Sequence, residues 1–312
     1  MNECSLRRRR DGHLDPATIS DQAGRVALIT GGNSGIGWQT ARVLAVHGAR
    51  VVLAGRDPGK LTASAEAIRA EVPSAAVDTL VLDLGNLKSI GAAAARVVDH
   101  GPLDLLINNA GVMNIAERQT TADGFEMTFG TNHLGHFALT AQLVPALRVA
   151  PAARVVTVSA IAARWGSGEL TDLMSERRYR PMGAYAKSKR ANIVFTIELA
   201  RRLAGTPMTA VAVHPGAAMT NLQQHSQGLA ARLLLPMLGR LAMGSPEGAA
   251  WPSLYAATNP AVENGAFIGP AGRRQDSGTP KPARLPHGAD DPAVGAALWR
   301  DSERLTGTPF AV

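Results

Sequence analysis

The 312-residue chain contains one cysteine, Cys4, few aromatic residues (4%) and no long uninterrupted apolar run. A single cysteine excludes an intramolecular disulfide framework and a cysteine-based zinc site, and it fits a reducing cytoplasm. Scarce aromatic rings argue against an aromatic-rich sandwich, whereas the 32 glycines and many alanines favour helices packed closely on a sheet. No stretch reaches the ~18 residues of a membrane span, and "MNECSLRRRRDGHLD" lacks the apolar segment of a secretory signal. The most lipid-like stretch, "LAARLLLPMLGRLAM" (229–243), is interrupted by two arginines and a proline. It is expected to form an amphipathic flap over an apolar pocket, not a stable membrane anchor. Neither a G-x-S-x-G elbow nor a Walker sequence occurs, which argues against hydrolase and P-loop chemistry. Of the formal net charge of +7, four positive charges come from "RRRR" at 7–10. Residues 1–20 are therefore expected to be a disordered, solvated basic tail, and no nucleic-acid partner is expected.

From Arg25 onward, short β-branched runs alternate with helical segments, the pattern of βαβ units on a parallel sheet. Strands are expected at 25–30, 50–55, 75–84, 103–111, 153–159 and 208–216, and helices at about 35–47, from 57 and over 183–205. In the last of these, Ile193, Ile197, Ala200 and Leu203 recur at helical spacing and bury one face. The fold class is α/β: one doubly wound domain over 21–312, with a parallel sheet of about seven strands flanked by helices. There is no internal repeat, and the Gly/Pro-rich tract around 269–295 is expected to be weakly ordered.

"TGGNSGIG" (30–37) follows the first strand and opens the first helix. Glycines permit a tight turn and let the backbone approach a pyrophosphate, whose charge is favoured by the free N–H groups and positive dipole end of the helix. The spacing of Gly31, Gly35 and Gly37 is G-x-x-x-G-x-G, and Asn33, Ser34 and Ile36 complete the turn. At the end of the second strand an acidic residue would bond a ribose 2′-OH, whereas an arginine would pair with a 2′-phosphate. Gly55-Arg56 stands there, which favours NADP(H) over NAD(H) unless Arg56 merely pairs with Asp57 or solvent.

Together, "TGGNSGIG", "NNAG" (108–111), "TNHLGHF" (131–137), "YAKSK" (185–189) and "HPG" (214–216) resemble the short-chain dehydrogenase/reductase family. The stretch 160–184 and the tail "ALWRDSERLTGTPF" resemble its retinol dehydrogenase branch. The resemblance implies that Tyr185 donates a proton to the substrate oxygen in reduction and removes it in oxidation. Lys189, one helical turn on, would favour tyrosinate and bond the nicotinamide ribose. Asn132 would bend its helix and hold a water leading to Lys189. Asp83 and Leu84 would lie against the adenine, Asn109, Ala110 and Gly111 along the adenosine, and Pro215, Gly216 and Thr220 by the nicotinamide and its phosphate. Family members are often dimers or tetramers, so a homo-oligomer is expected. The segments 160–184 and 217–245, rich in Leu, Met, Ala and with Trp165, are expected to hold a lipophilic substrate.

One position departs from the family. Strand five usually ends in two serines, the second of which bonds the substrate carbonyl; here the pair is Ser159-Ala160. Three explanations stand: Ser159 or a water replaces the missing donor in a carbonyl reductase, the substrate is an imine or activated C=C bond, or the scaffold binds cofactor without hydride transfer. "HLGH" (133–136) sets two histidines three apart, but no carboxylate or cysteine cluster accompanies them and no metal is expected.

Overall fold

The computed structural model describes residues 19–165, 170–216, 246–272 and 278–312. Its sheet is built from β1 (Val26–Thr30), β2 (Arg50–Gly55), β3 (Val77–Val81), β4 (Leu105–Asn108), β5 (Arg154–Val158), β6 (Thr209–Val213), β7 (Phe267–Pro270) and β8 (Pro280–Pro282). Their spatial order is β3-β2-β1-β4-β5-β6-β7-β8. All neighbours are parallel except β7 and β8, which are antiparallel. β1, β4, β5 and β6 are Val/Ile/Leu/Ala-rich and buried over most of their length, as strands covered on both faces must be.

Helices α1 (Gly35–Val46), α2 (Pro58–Glu71), α3 (Leu87–Asp99), α5 (Gly135–Arg148), α6 (Pro181–Arg202), α7 (Pro246–Thr258) and α8 (Pro292–Thr306) cover the sheet, with a single turn, α4 (Met127–Phe129), preceding α5. Their starts are written locally. Asp57, Asn86 and Asp291 accept hydrogen bonds from Lys60 N, Ser89 N and Ala293 N, and Pro58, Pro181 and Pro292 stand in first turns. One face of the sheet packs on α3, α5, α6 and α8 through Ile90, Phe137, Phe195 and Trp299. The other packs on α1, α2 and α7 through Leu44, Leu61, Ile68 and Trp251.

The doubly wound α/β class is therefore the observed one, with eight strands among the described residues rather than about seven. The tract 269–295 is more structured than its composition implies, since it carries the end of β7, all of β8 and the start of α8. Residues 1–18 of the expected basic tail and the whole of 217–245, including the expected flap at 229–243, lie outside the described residues. No described helix is long and apolar enough to cross a membrane.

Candidate active site

The order of strand addition reverses between the parallel neighbours β1 and β4, and the glycine turn and the Asn-Asn-Ala-Gly turn leave these two strands side by side at their carboxyl ends, where such folds bind ligands. Thr30 joins them. Its hydroxyl accepts from Asn109 N (2.9 Å) and Ala110 N (3.0 Å), and its carbonyl accepts from Asn109 Nδ2 (2.8 Å). Gly31 and Gly35 have φ of +66° and +54°, which disfavour a side chain. A Cβ at Gly37 would lie 2.4 Å from Gly31 O, so the helix start and the turn are in backbone contact. The Asn33 carbonyl accepts from Ser64 Oγ at 3.0 Å. Ser34 is the N-cap of α1 without a side-chain cap bond, and no acidic residue sits in the first turn of α1. Gly31 N and Gly32 N donate to Ala54 O, while the amides at the start of α1 and its positive helix end face the turn, so the residues fit a dinucleotide. Arg56 is exposed and makes no salt bridge with a described residue, while Asp57 faces Lys60 at 3.8 Å.

Further along the crevice, Asp83 Oδ1 accepts from Gly85 N (2.9 Å), and Leu84 is buried with its side chain in the core and its carbonyl against Gly135. A Cβ at Gly111 would stand 3.1 Å from Asn132 Oδ1 and 3.4 Å from Lys189 Nζ. The chain thus passes directly beneath the candidate catalytic groups.

Asn132 lies within a π-helical turn, Gly130–Leu134, that interrupts the helix before α5. Its amide is held on both sides: Oδ1 accepts from Val112 N (2.8 Å), and Nδ2 donates to Val112 O and Ser188 Oγ (both 2.9 Å). Ser188 in turn donates to the Tyr185 carbonyl at 2.8 Å. Lys189 Nζ donates to Val158 O at 3.0 Å and sits 5.9 Å from the Tyr185 ring centre. Tyr185 and Lys189 are 8% and 3% exposed. Loss of water pushes the Tyr185 hydroxyl up to about 12 and the Lys189 ammonium down to about 8. At neutral pH the phenol holds its proton beside a cation, the arrangement of a general acid.

The Ser159 side chain is engaged with the backbone of α6. Its buried hydroxyl donates to the Lys189 carbonyl at 2.6 Å and so stitches β5 to α6. Ala160 instead packs in an apolar cluster with Tyr185, Ala162, Ala186, Met113 and Met182. Alternation along the strand end separates the two side chains, as extended backbone requires. Pro215 and Gly216 follow β6, half-buried, with Gly216 at φ +79°; Thr220 and residues 166–169 lie outside the described residues.

The two histidines of "HLGH" turn to different partners. His133 Nε2 meets Ser302 Oγ (3.0 Å) among Phe129, Phe137 and Phe195, whereas His136 reaches Thr30 and the Asn132 carbonyl. No group of three metal-ligating side chains occurs among the described residues. Thr30 and Ser188 were not singled out by sequence; Thr30 directly precedes Gly31, and Ser188 lies three residues after Tyr185, so each had a positional signal. A cavity of about 300 Å³ opens at the opposite, amino end of β1–β3, near Arg50, Val77 and Pro102, and holds none of these groups.

Residues 25–228 match the short chain dehydrogenase family. The chain is 41% identical to retinol dehydrogenase 13 of Homo sapiens over 91% of its length and 85% of that protein. It is 40% identical to polyprenol dehydrogenase of Mus musculus over 97% and 90%. Among solved structures, an uncharacterized protein from Mycobacterium paratuberculosis is 40% identical with a TM-score of 0.78, covering 95% of this chain and 98% of that one. The Pseudomonas aeruginosa RhlG/NADP active-site complex is 26% identical with a TM-score of 0.64, covering 79% of this chain and 94% of that one. The chain belongs to the short-chain dehydrogenase/reductase family, in its retinol dehydrogenase-like branch, and is an NAD(P)-dependent oxidoreductase.

Proposed function

We propose that this protein is an NADP(H)-dependent oxidoreductase acting on a lipophilic carbonyl or alcohol, with Tyr185 moving the proton. The observation that carries the reading is the buried Tyr185–Lys189 pair joined through Ser188 to Asn132, beside a crevice shaped for a dinucleotide. Gly31 to Gly37, Asp83, the Leu84 backbone, Asn109 to Gly111 and Pro215 to Thr220 would hold the cofactor. Arg56, free of a described counter-charge, is the residue to face a 2′-phosphate. When bound, the nicotinamide supplies or accepts the hydride. Tyr185 then donates its proton to the oxygen that gains negative charge, and the charge of Lys189 stabilises the tyrosinate left behind. Met113, Met182, Ala160 and Ala162 present apolar surface to the substrate. The similarity to retinol and polyprenol dehydrogenases supports a lipophilic alcohol.

Ala160 favours a second substrate class. With no hydroxyl at that position and Ser159 bonded elsewhere, an imine or activated C=C bond needs less polarisation than a ketone. Calorimetric titration of the intact chain with NADPH and then NADH, followed by turnover of retinal-like aldehydes, ketones, imines and enones, tests both readings. Tight NADPH binding with weak NADH binding is expected, and Tyr185→Phe is expected to lower turnover roughly 10²-fold or more while cofactor binding is retained. Binding of neither nucleotide would overturn the enzyme reading in favour of an interaction protein, and tight NADH binding alone would overturn the role of Arg56.

A further inference from the structure

His136 is 1% exposed and sits between the glycine turn and the π-helical turn. Its Nδ1 is 2.9 Å from the Asn132 carbonyl oxygen, and its Nε2 is 2.9 Å from Thr30 Oγ1. A carbonyl only accepts, so the ring proton resides on Nδ1. Burial depresses the ring to about 4, so it is neutral near pH 7 and Nε2 must accept from the Thr30 hydroxyl. That hydroxyl in turn accepts from the amides of Asn109 and Ala110. The bonds run in one direction, from the Asn-Asn-Ala-Gly turn through Thr30 and His136 to Asn132, and bonds so aligned polarise one another.

We infer that His136 is a positioning residue, aiming the Asn132 peptide of the π-helical turn by tying its carbonyl to Thr30 at the base of the cofactor cradle. The ring is not what docks the helix. Gly135 already lies against Leu84 O, where a Cβ would approach to 2.3 Å, and Asn108 Nδ2 donates to Thr140 Oγ1, which donates to the His136 carbonyl. Thr30 also has a second acceptor, Ile107 O at 3.3 Å, and the glycine turn keeps its own bond from Gly31 N to Ala54 O. Removing the ring would therefore take the side-chain donor from the Asn132 carbonyl while these contacts remain. The catalytic consequence rests on the function proposed above, in which Asn132 leads to Lys189.

The test uses the intact chain, the variants His136→Leu and His136→Gln, and imidazole nitrogen spectra of the cofactor-free protein. The wild-type ring is expected as the Nδ1–H tautomer at pH 7. In His136→Leu, kcat is expected to fall roughly tenfold or more through loss of alignment, while the Kd for NADPH stays within about threefold because the cradle keeps its other bonds. His136→Gln, whose amide both donates and accepts, is expected to recover most of kcat. An Nε2–H tautomer, an imidazolium at pH 7, or wild-type kcat in His136→Leu would overturn the inference. Equal losses in both variants that merely follow their melting temperatures would also overturn it, since that is a packing effect. If the wild type turned over no substrate, the proposed function would fail by itself. The tautomer and the carbonyl carbon shift of Asn132, displaced in His136→Leu and retained in His136→Gln, would still decide the positioning role.

Discussion

At the end of β5, adjacent side chains take different tasks: the Ser159 hydroxyl secures the Lys189 carbonyl, and Ala160 presents a methyl group to the Tyr185 cluster. Removing a donor aimed at a developing oxyanion commonly costs ~10²–10³ in rate. Restoring one is therefore informative. Ala160→Ser is expected to raise kcat/KM for a simple ketone by roughly tenfold or more, with little change for an imine, because only the ketone develops full charge on oxygen. Steady-state kinetics on a matched ketone and imine check this. Equal, unchanged rates for both would mean that some group other than a hydroxyl at 160 already polarises the substrate.

At the scale of the element, close backbone approach decides which glycines are irreplaceable. In α3, a Cβ at Gly91 would meet Gln142 Oε1 at 3.5 Å, an ordinary contact, so Gly91→Ala is expected to stabilise by about 0.5–1 kcal/mol through helix propensity. At the start of α5, Gly135→Ala is expected to destabilise by roughly 3 kcal/mol, because its Cβ would press on backbone, Leu84 O. Urea unfolding of the two variants distinguishes these signs, and equal effects would refute the argument. The same contrast explains what was legible in the sequence. Strands β1, β2, β5 and β6 and helices α1 and α6 declare themselves through Val/Ile runs, a glycine turn and helical spacing that act locally. β8 did not, because Pro280-Lys281-Pro282 lacks the amide donors of an ordinary strand and pairs only as a sheet edge on β7. The π-helical turn was anticipated only as a bend at Asn132 implied by family resemblance. Its geometry depends on Val112, Ser188 and Thr30, which are distant in sequence and near only after folding.

For the whole molecule, two of the three buried imidazoles among the described residues, His133 and His136, are held neutral strongly enough to shape the response to acid. His133 lies in the aromatic core shared by α5, α6 and α8, and His136 lies between the sheet and the π-helical turn. Burial lowers them to about 3 and about 4 from an ordinary 6.5, so each is neutral in the folded protein near pH 7. A base whose folded-state pKa lies below its unfolded value contributes stability that is fully present above the unfolded value. That stability is lost as pH falls toward the folded one. Between pH 6.5 and 5 the unfolded chain takes up protons at both rings while the folded protein takes up neither, and most carboxylates stay ionised throughout. Each pH unit is worth about 1.4 kcal/mol per ring, so the two together are expected to remove about 4 kcal/mol at pH 5. That is a large share of the roughly 5–15 kcal/mol that holds most domains folded. Denaturant titrations at pH 7 and 5 measure the loss directly, and His136→Gln is expected to halve it by removing one of these two depressed imidazoles. A midpoint that does not move between these pH values would show that the rings gain their protons without unfolding, and the depression of the two imidazoles by burial would be refuted.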